Sequence, residues 1–271
     1  MTKIDGREIA KKILEELKTQ PTPKNFLAVF VVGENIATES FIKQKERVAK
    51  ELGVDFRIYR YKEEITQDHL RKEIHKIAEA KRCGGAIIQL PLPEHMNAGY
   101  VANAIPPQKD IDLLGERMRG AFYNGRSTIL PPSVEVVRVI LNNQNLAEEN
   151  IKTVAVVGQG FLVGKPITHY FLQKVPNVIA LDKGDDLGTL KEADVVISGT
   201  GVSRLIKGNM LKKEAGVIDF GYGADEGGNI SGDVDTDSLK DVAFYTPTPG
   251  GTGPILVACL LKNFFVVNKE V

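Results

Sequence analysis

Three glycines in the stretch VVGQGFLVGKP, at 158, 160 and 164, follow a short apolar run and end where a helix can begin. Gly158 and Gly160 allow a tight turn and close approach of the backbone, so that N–H groups and the positive end of a helix dipole can face an anionic pyrophosphate. Pro166 suits the first helical turn, since it has no N–H to leave unpaired. The pattern is G-x-G-x-x-x-G and not the usual G-x-G-x-x-G, and it would also serve close packing of a strand on a helix. A second group sharpens the reading: Asp182 ends the next apolar run, 24 residues beyond Gly158. A carboxylate about 20 residues on bonds the adenosine ribose hydroxyls, and its charge repels a 2′-phosphate. The pair therefore points to NAD in preference to NADP, with an ordinary loop aspartate in DKGDD as the other reading.

Such residues need elements to hold them. In REIAKKILEELK, Ile9, Ala10, Ile13, Leu14 and Leu17 fall on one face, which predicts an amphipathic helix over 7–18. FLAVFVVG at 26–33 is a continuous β-rich apolar run, as expected of a strand buried on both faces of a parallel sheet. Helices around 37–51 and 66–80 alternate with the strands VDFRIYR and GGAIIQL, an order that implies βαβ units. Proline- and glycine-rich segments between Pro93 and Pro131 break the rhythm and suggest a boundary near Gly120. A helix around 133–143 then opens a second series, with strands at 153–157, 177–182, 194–198 and 216–220. An apolar helix over about 255–267 closes the chain and is expected to return to the first domain.

The totals exclude several classes. With 271 residues, 42% hydrophobic and 26% charged, two α/β domains are expected. Basic and acidic residues number 35 each, which gives no sign of a nucleic-acid surface. No run approaches the roughly 18 apolar residues of a membrane span, and the N-terminus lacks a signal-peptide core. Cys83 and Cys259 lie in apolar stretches and read as small buried hydrophobes, so a reduced, cytoplasmic setting fits. Four scattered histidines, His95 among them, and no cysteine pair suggest no metal site.

Five stretches in order over nearly the full length resemble the bifunctional methylenetetrahydrofolate dehydrogenase/cyclohydrolase family: QLPLPEH at 89–95, PPQKDID at 106–112, GQGFLVGKP at 158–166, ISGTG at 197–201 and TPTPGGTGP at 246–254. The resemblance implies a folate-binding catalytic domain (1–120 plus 254–271), a Rossmann-like dinucleotide-binding domain (121–253), a cleft between them and a homodimer. It implies oxidation of 5,10-methylenetetrahydrofolate to the methenyl cation, followed by hydrolysis to 10-formyltetrahydrofolate. Lys45 matches the catalytic lysine, Gln89 the amide that orients it and Asp112 the pterin-binding aspartate. Phe41, Ile88, Leu90, Pro249, Gly250 and Gly251 complete the implied substrate contacts. Gly158, Gln159, Gly160, Gly164, Asp182, Thr200, Gly201 and Tyr222 form the implied cofactor set.

By residue type alone the alternatives stay open. Lys45 among Lys43, Arg47 and Lys50 also reads as a solvated face, Gln89 as a satisfied core amide and Asp112 as a loop cap. Departures from the family pattern are specific. Phe41 replaces a tyrosine and has no hydroxyl, so a dehydrogenase with weak or absent hydrolysis is one alternative and a non-catalytic folate- or dinucleotide-binding relative is another. Gln159 and Gly160 stand for arginine and serine, which weakens any grip on a 2′-phosphate. Leu113 stands for glycine, and PPSVEV at 131–136 departs from P-C-T-P-x-G.

Overall fold

The computed structural model describes residues 1–33, 36–224 and 227–269. The described residues begin with β1 (Thr2–Lys3), α1 (Gly6–Lys18), β2 (Phe26–Val32), α2 (Ile36–Glu51), β3 (Phe56–Tyr61), α3 (Gln67–Glu79) and β4 (Cys83–Ile88). Next come α4 (Ala98–Ala102), α5 (Glu116–Tyr123), α6 (Pro132–Asn143), β5 (Thr153–Val157), α7 (Gly164–Phe171), β6 (Asn177–Leu181), β7 (Val195–Ser198) and β8 (Gly216–Asp219). The antiparallel pair β9 (Gly223–Ala224) and β10 (Ile230–Ser231), then β11 (Phe244–Tyr245) and α8 (Thr252–Val267), complete the order.

The chain divides into two compact units. One comprises Lys12–Pro132 with the described residues from Val257 on, and the other Met1–Lys11 with Ser133–Leu256. The expected boundary near Gly120 falls inside α5, and the division lies at Pro132/Ser133, where a second helix starts. Residues 1–11, expected with the first domain, join the second sheet instead. Thr2 and Lys3 pair with Phe244 and Tyr245, and the Gly6 N–H donates to the Gly250 carbonyl at 2.9 Å. A two-residue strand is too short to carry a periodicity, so nothing local announces it.

In the first unit the sheet order is β3-β2-β4, all parallel. All seven residues of β2 are buried, as its unbroken apolar run requires of a central strand, whereas the edge strand β3 is only partly covered. Leu70, Ile74 and Ala78 place a buried stripe along α3, whose start is capped by the Thr66 hydroxyl accepting from the His69 N–H at 3.3 Å. From α8, Phe264 lies where a Cβ on Gly85 would stand, 2.8 Å from its ring, so glycine in β4 lets the final helix settle on this sheet.

The second unit holds a six-stranded sheet in the order β1-β11-β8-β7-β5-β6, with every pair parallel. Its core includes Val157, Leu190, Val196, Ile206 and Val217, all buried. After β5 the chain goes first to β6 on one side and then to β7 on the other. The strand order therefore reverses at β5, and in open α/β sheets ligands bind outside the carboxyl ends of the strands at such a switch point.

Candidate functional site

Two constellations stand out, one in each unit. In the first, α2 carries Lys45 with Phe41 one turn earlier on the same face, while Lys43, Arg47 and Lys50 are exposed. Lys45 is half-buried, and its Nζ donates to Gln89 Oε1 at 2.9 Å. An ammonium has donors only, so the amide must turn its oxygen toward it. The Gln89 Nε2 donates in turn to the Leu90 carbonyl at 2.8 Å, which fixes that orientation. Gln89 sits one residue past the end of β4, with its own N–H on the Phe30 carbonyl at 2.9 Å, and it is 7% exposed. Ile88 before it is buried in the core, so any ligand contact it makes comes from its backbone.

Asp112 follows a segment held to the same strand: a parallel bridge joins Ala86 of β4 to Asp110, and the charges of Lys45 and Asp112 act on each other. Burial raises the Asp112 carboxyl above the usual carboxylate range, opposed by the positive charges of Lys45 and Arg119. Burial likewise lowers the Lys45 ammonium from its usual range, opposed by Asp112. The amine, the amide and the carboxylate thus share one environment, with the amine closer to exchanging a proton near neutral pH than a solvated lysine would be.

Three supporting residues went unread in the sequence. Asp110 accepts from the Leu114 and Gly115 N–H groups at 3.1 and 2.7 Å, closing the turn that carries Asp112. Burial pushes its pKa up to about 6. Arg119, on α5, places a half-buried guanidinium near both aspartates. Asn263 on α8 donates to the Ile111 carbonyl at 2.9 Å and to the Leu130 carbonyl at 2.8 Å, tying the segment to the final helix. A single amide in the apolar run LVACLLKNFFVV was the available signal for Asn263. Arg119 had none.

The second constellation lies at the switch point. Gly158 has φ +87°, and a Cβ there would stand 2.9 Å from the Gly199 carbonyl oxygen, so the glycine loop seats directly on the turn after β7. A Cβ on Gly164 would be 1.8 Å from the Gly158 oxygen, so the helix start needs glycine for packing. Gly160 and Gly201 differ: nothing lies within 4 Å of a Cβ at either, and their backbone faces open space. The packing reading of this loop holds at Gly158 and Gly164, while Gly160 and Gly201 leave open backbone. Gln159, expected in the cofactor set, has its side chain engaged within the unit. Its Nε2 donates to the Val156 carbonyl and its Oε1 accepts from the Thr168 hydroxyl, each at 3.0 Å, so its side chain ties the loop to α7.

Asp182 is exposed at the first position after β6, and the Gly158 N–H donates to the Leu181 carbonyl at 2.8 Å beside it. Within DKGDD the turn is closed by Asp185, whose Oδ2 accepts from the Asp182 N–H at 2.7 Å. Thr200 and Gly201 follow β7, and a Cβ on Gly223 would stand 3.2 Å from the Gly201 oxygen, which brings the Tyr222 loop against them. In the same unit, Gly250 has φ +98° and room for a ligand. A Cβ on Gly251 would meet the Pro247 oxygen at 2.4 Å, so there glycine serves the chain's own closure.

Comparison with known proteins agrees over the whole chain. Residues 4–112 match the family model for the catalytic domain of tetrahydrofolate dehydrogenase/cyclohydrolase, and residues 131–271 match the NAD(P)-binding domain of that family. A bifunctional FolD protein of Mycoplasmopsis synoviae is 34% identical over 98% of this chain and 99% of its own. Among solved structures, FolD methylenetetrahydrofolate dehydrogenase/cyclohydrolase from Campylobacter jejuni has a TM-score of 0.93 at 30% identity, covering 99% of this chain and 98% of that one. The Trypanosoma brucei enzyme, complexed with NADP cofactor and inhibitor, gives 0.91 at 28% identity, covering 98% and 96%.

Proposed function

The chain belongs to the tetrahydrofolate dehydrogenase/cyclohydrolase family, and on that premise we propose that it oxidises 5,10-methylenetetrahydrofolate to the methenyl cation and hydrolyses the cation to 10-formyltetrahydrofolate. The observation that carries this is the meeting of Lys45, Gln89 and Asp112 in one environment. The Asp112 carboxylate accepts N–H bonds from the amino-pyrimidinone edge of the pterin, which orients the ring. Phe41 offers a face for that ring to stack on. In hydrolysis a C–O bond forms between water and the methenyl carbon and one C–N bond breaks; the water oxygen becomes the formyl oxygen, releasing one proton to solvent and passing the other to the freed nitrogen. Lys45 is the group placed to move that proton, held by Gln89, because burial has lowered its affinity for it.

The six-stranded unit suits a nicotinamide dinucleotide, with open backbone at Gly160 and Gly201 beside the switch point. When bound, the nicotinamide supplies the hydride acceptor of the first step. NAD over NADP is supported by Asp182, exposed at the end of β6, and by Gln159, whose amide is engaged within the unit and offers no cationic fork to a 2′-phosphate. A homodimer is part of the same reading, carried by the family resemblance. A cytoplasmic setting is supported by two buried free thiols, Cys83 and Cys259, and by the fact that no helix among the described residues is long and apolar enough to cross a membrane.

One coupled assay tests the reading. With methylenetetrahydrofolate as substrate, reduced nicotinamide should form faster from NAD than from NADP, and methenyl absorbance should rise and then decay faster than in buffer. No reduced nicotinamide from either cofactor would reject the dehydrogenase. Faster turnover with NADP would reject the role of Asp182, and decay at the buffer rate would reject hydrolysis.

A further inference from the structure

Two buried carboxylates in the six-stranded unit have no part in the chemistry above. Asp219 ends β8 at 1% exposure and Asp233 follows β10 at 0%. Asp219 accepts from the Gly221 N–H at 2.6 Å, the Asp233 N–H at 3.2 Å and the Val234 N–H at 3.0 Å, so its lone pairs are well used. Asp233 is different. Its Oδ2 accepts from the Ser198 hydroxyl and from the Thr200 N–H, both at 2.6 Å, while its Oδ1 has no hydrogen-bond partner among the described residues. A buried carboxylate oxygen without a donor is costly and calls for an explanation.

Its surroundings are backbone. Asp233 Oδ1 lies 2.2 Å from where a Cβ on Gly221 would stand, so it presses on the backbone that leads into Tyr222. On its other side Oδ2 holds the turn that leads into Thr200 and Gly201. One carboxylate therefore joins the loop after β7 to the loop after β8. Asp219 holds the backbone of Asp233 from behind, through the Asp233 and Val234 N–H groups. Gly158 seats on Gly199 and Thr200, so the setting of this turn passes directly to the glycine loop.

The geometry points to Asp233 as a positioning residue for the dinucleotide site: by holding Ser198 and Thr200 through hydrogen bonds to one oxygen and packing the other against Gly221, it keeps the two loops that carry Thr200, Gly201 and Tyr222 in binding register. This rests on the dinucleotide reading of the six-stranded unit. Asp233 touches neither reacting atoms nor pterin; it acts through the loops. A short, charge-assisted bond to a backbone N–H is about twice as strong as a neutral one, which is why a carboxylate suits this place better than an amide.

The test compares the intact chain with Asp233→Asn and Ser198→Ala. Affinity is read by titration with NADH and NADPH, and methenyltetrahydrofolate hydrolysis, which needs no nicotinamide, serves as the internal control. Asp233→Asn should weaken dinucleotide binding tenfold or more and raise the nicotinamide KM by a similar factor. The hydrolysis rate and the KM for methylenetetrahydrofolate should stay within twofold of the native values. Ser198→Ala, a milder change, should weaken binding several-fold with the same split, and it decides the matter if Asp233→Asn does not fold. Native-like affinity in a folded variant, or equal loss of hydrolysis and binding, would overturn the assignment of Asp233. Native protein that binds neither dinucleotide would instead overturn the functional reading beneath it.

Discussion

Lys45 shows how a residue's surroundings decide its chemistry. Its helix carries four basic side chains between 43 and 50, and three of them are solvated. Only the fourth turns onto the face of Phe41, where it meets an amide oxygen and a carboxylate's field. That face was legible, since residues four apart on a helix lie one above the other. The partners were legible only through the resemblance. Replacing Gln89 with Leu keeps the volume and removes the acceptor. A hydrogen bond to a charged group contributes about 1.5–3 kcal/mol, so losing this one should lower the Lys45 pKa further. The pH profile of hydrolysis should then move its Lys45 limb toward lower pH, with kcat reduced about tenfold or more. An unmoved limb would show that Gln89 does not set the amine's charge.

The turn from Asp110 to Gly115 carries the argument at the scale of an element. Leu113 has φ +54°, backbone that glycine adopts freely and leucine rarely does, at the position where the family pattern has glycine. The turn holds a left-handed conformation with a leucine in it, and that side chain is 2% exposed. Two effects compete in Leu113→Gly. Relief of the left-handed strain favours the variant by about 1–2 kcal/mol, whereas losing a buried leucine costs about 2–5 kcal/mol and adds chain entropy to the unfolded state. Burial wins, and the variant should unfold at lower temperature than the native chain despite matching the family's residue. A raised Tm would show that backbone strain at this turn outweighs its core contact. Asp110 is the other half of the element. The sequence offered two aspartates in KDID without saying which one closes the turn, because that depends on where Leu114 and Gly115 point their N–H groups.

For the whole molecule, the relevant fact is that each unit buries a carboxyl with its pKa near 6, Asp110 in one and Asp219 in the other. Burial is the first cause in both, and a neighbouring aspartate adds to it. An unfolded aspartate titrates near 3.9, so between that pH and about 6 the folded chain holds protons that the unfolded chain has released. The stability associated with each group is complete below the unfolded value and is lost as pH rises through about 6, an effect of about 3 kcal/mol apiece. Carboxylates with lowered pKa, such as Glu39 and Asp55, sit in exposed arginine pairs and oppose this only weakly. Urea midpoints followed in each unit should accordingly fall between about pH 4 and 6.5. Midpoints that climb over that interval would contradict it.

Local pattern determined a good deal by itself. Continuous apolar runs fixed β2, β4, β5, β7 and β8 to within one or two residues, and the 3.6-residue stripe fixed α1 and α3, because period and burial are written in the same residues. Glycine placement located the loop at the switch point, though not which glycines serve packing and which leave open backbone. Tertiary structure decided the rest: the N-terminal strand's place in the second sheet, the bridge from Ala86 to Asp110 that brings the Asp112 segment to β4, and the reach of Asn263 and Asp233 to distant backbone. Those contacts join residues up to 242 positions apart, as Thr2 and Phe244 are. No spacing along a chain encodes them, since they exist only once separate elements have packed and their unpaired donors and acceptors have met.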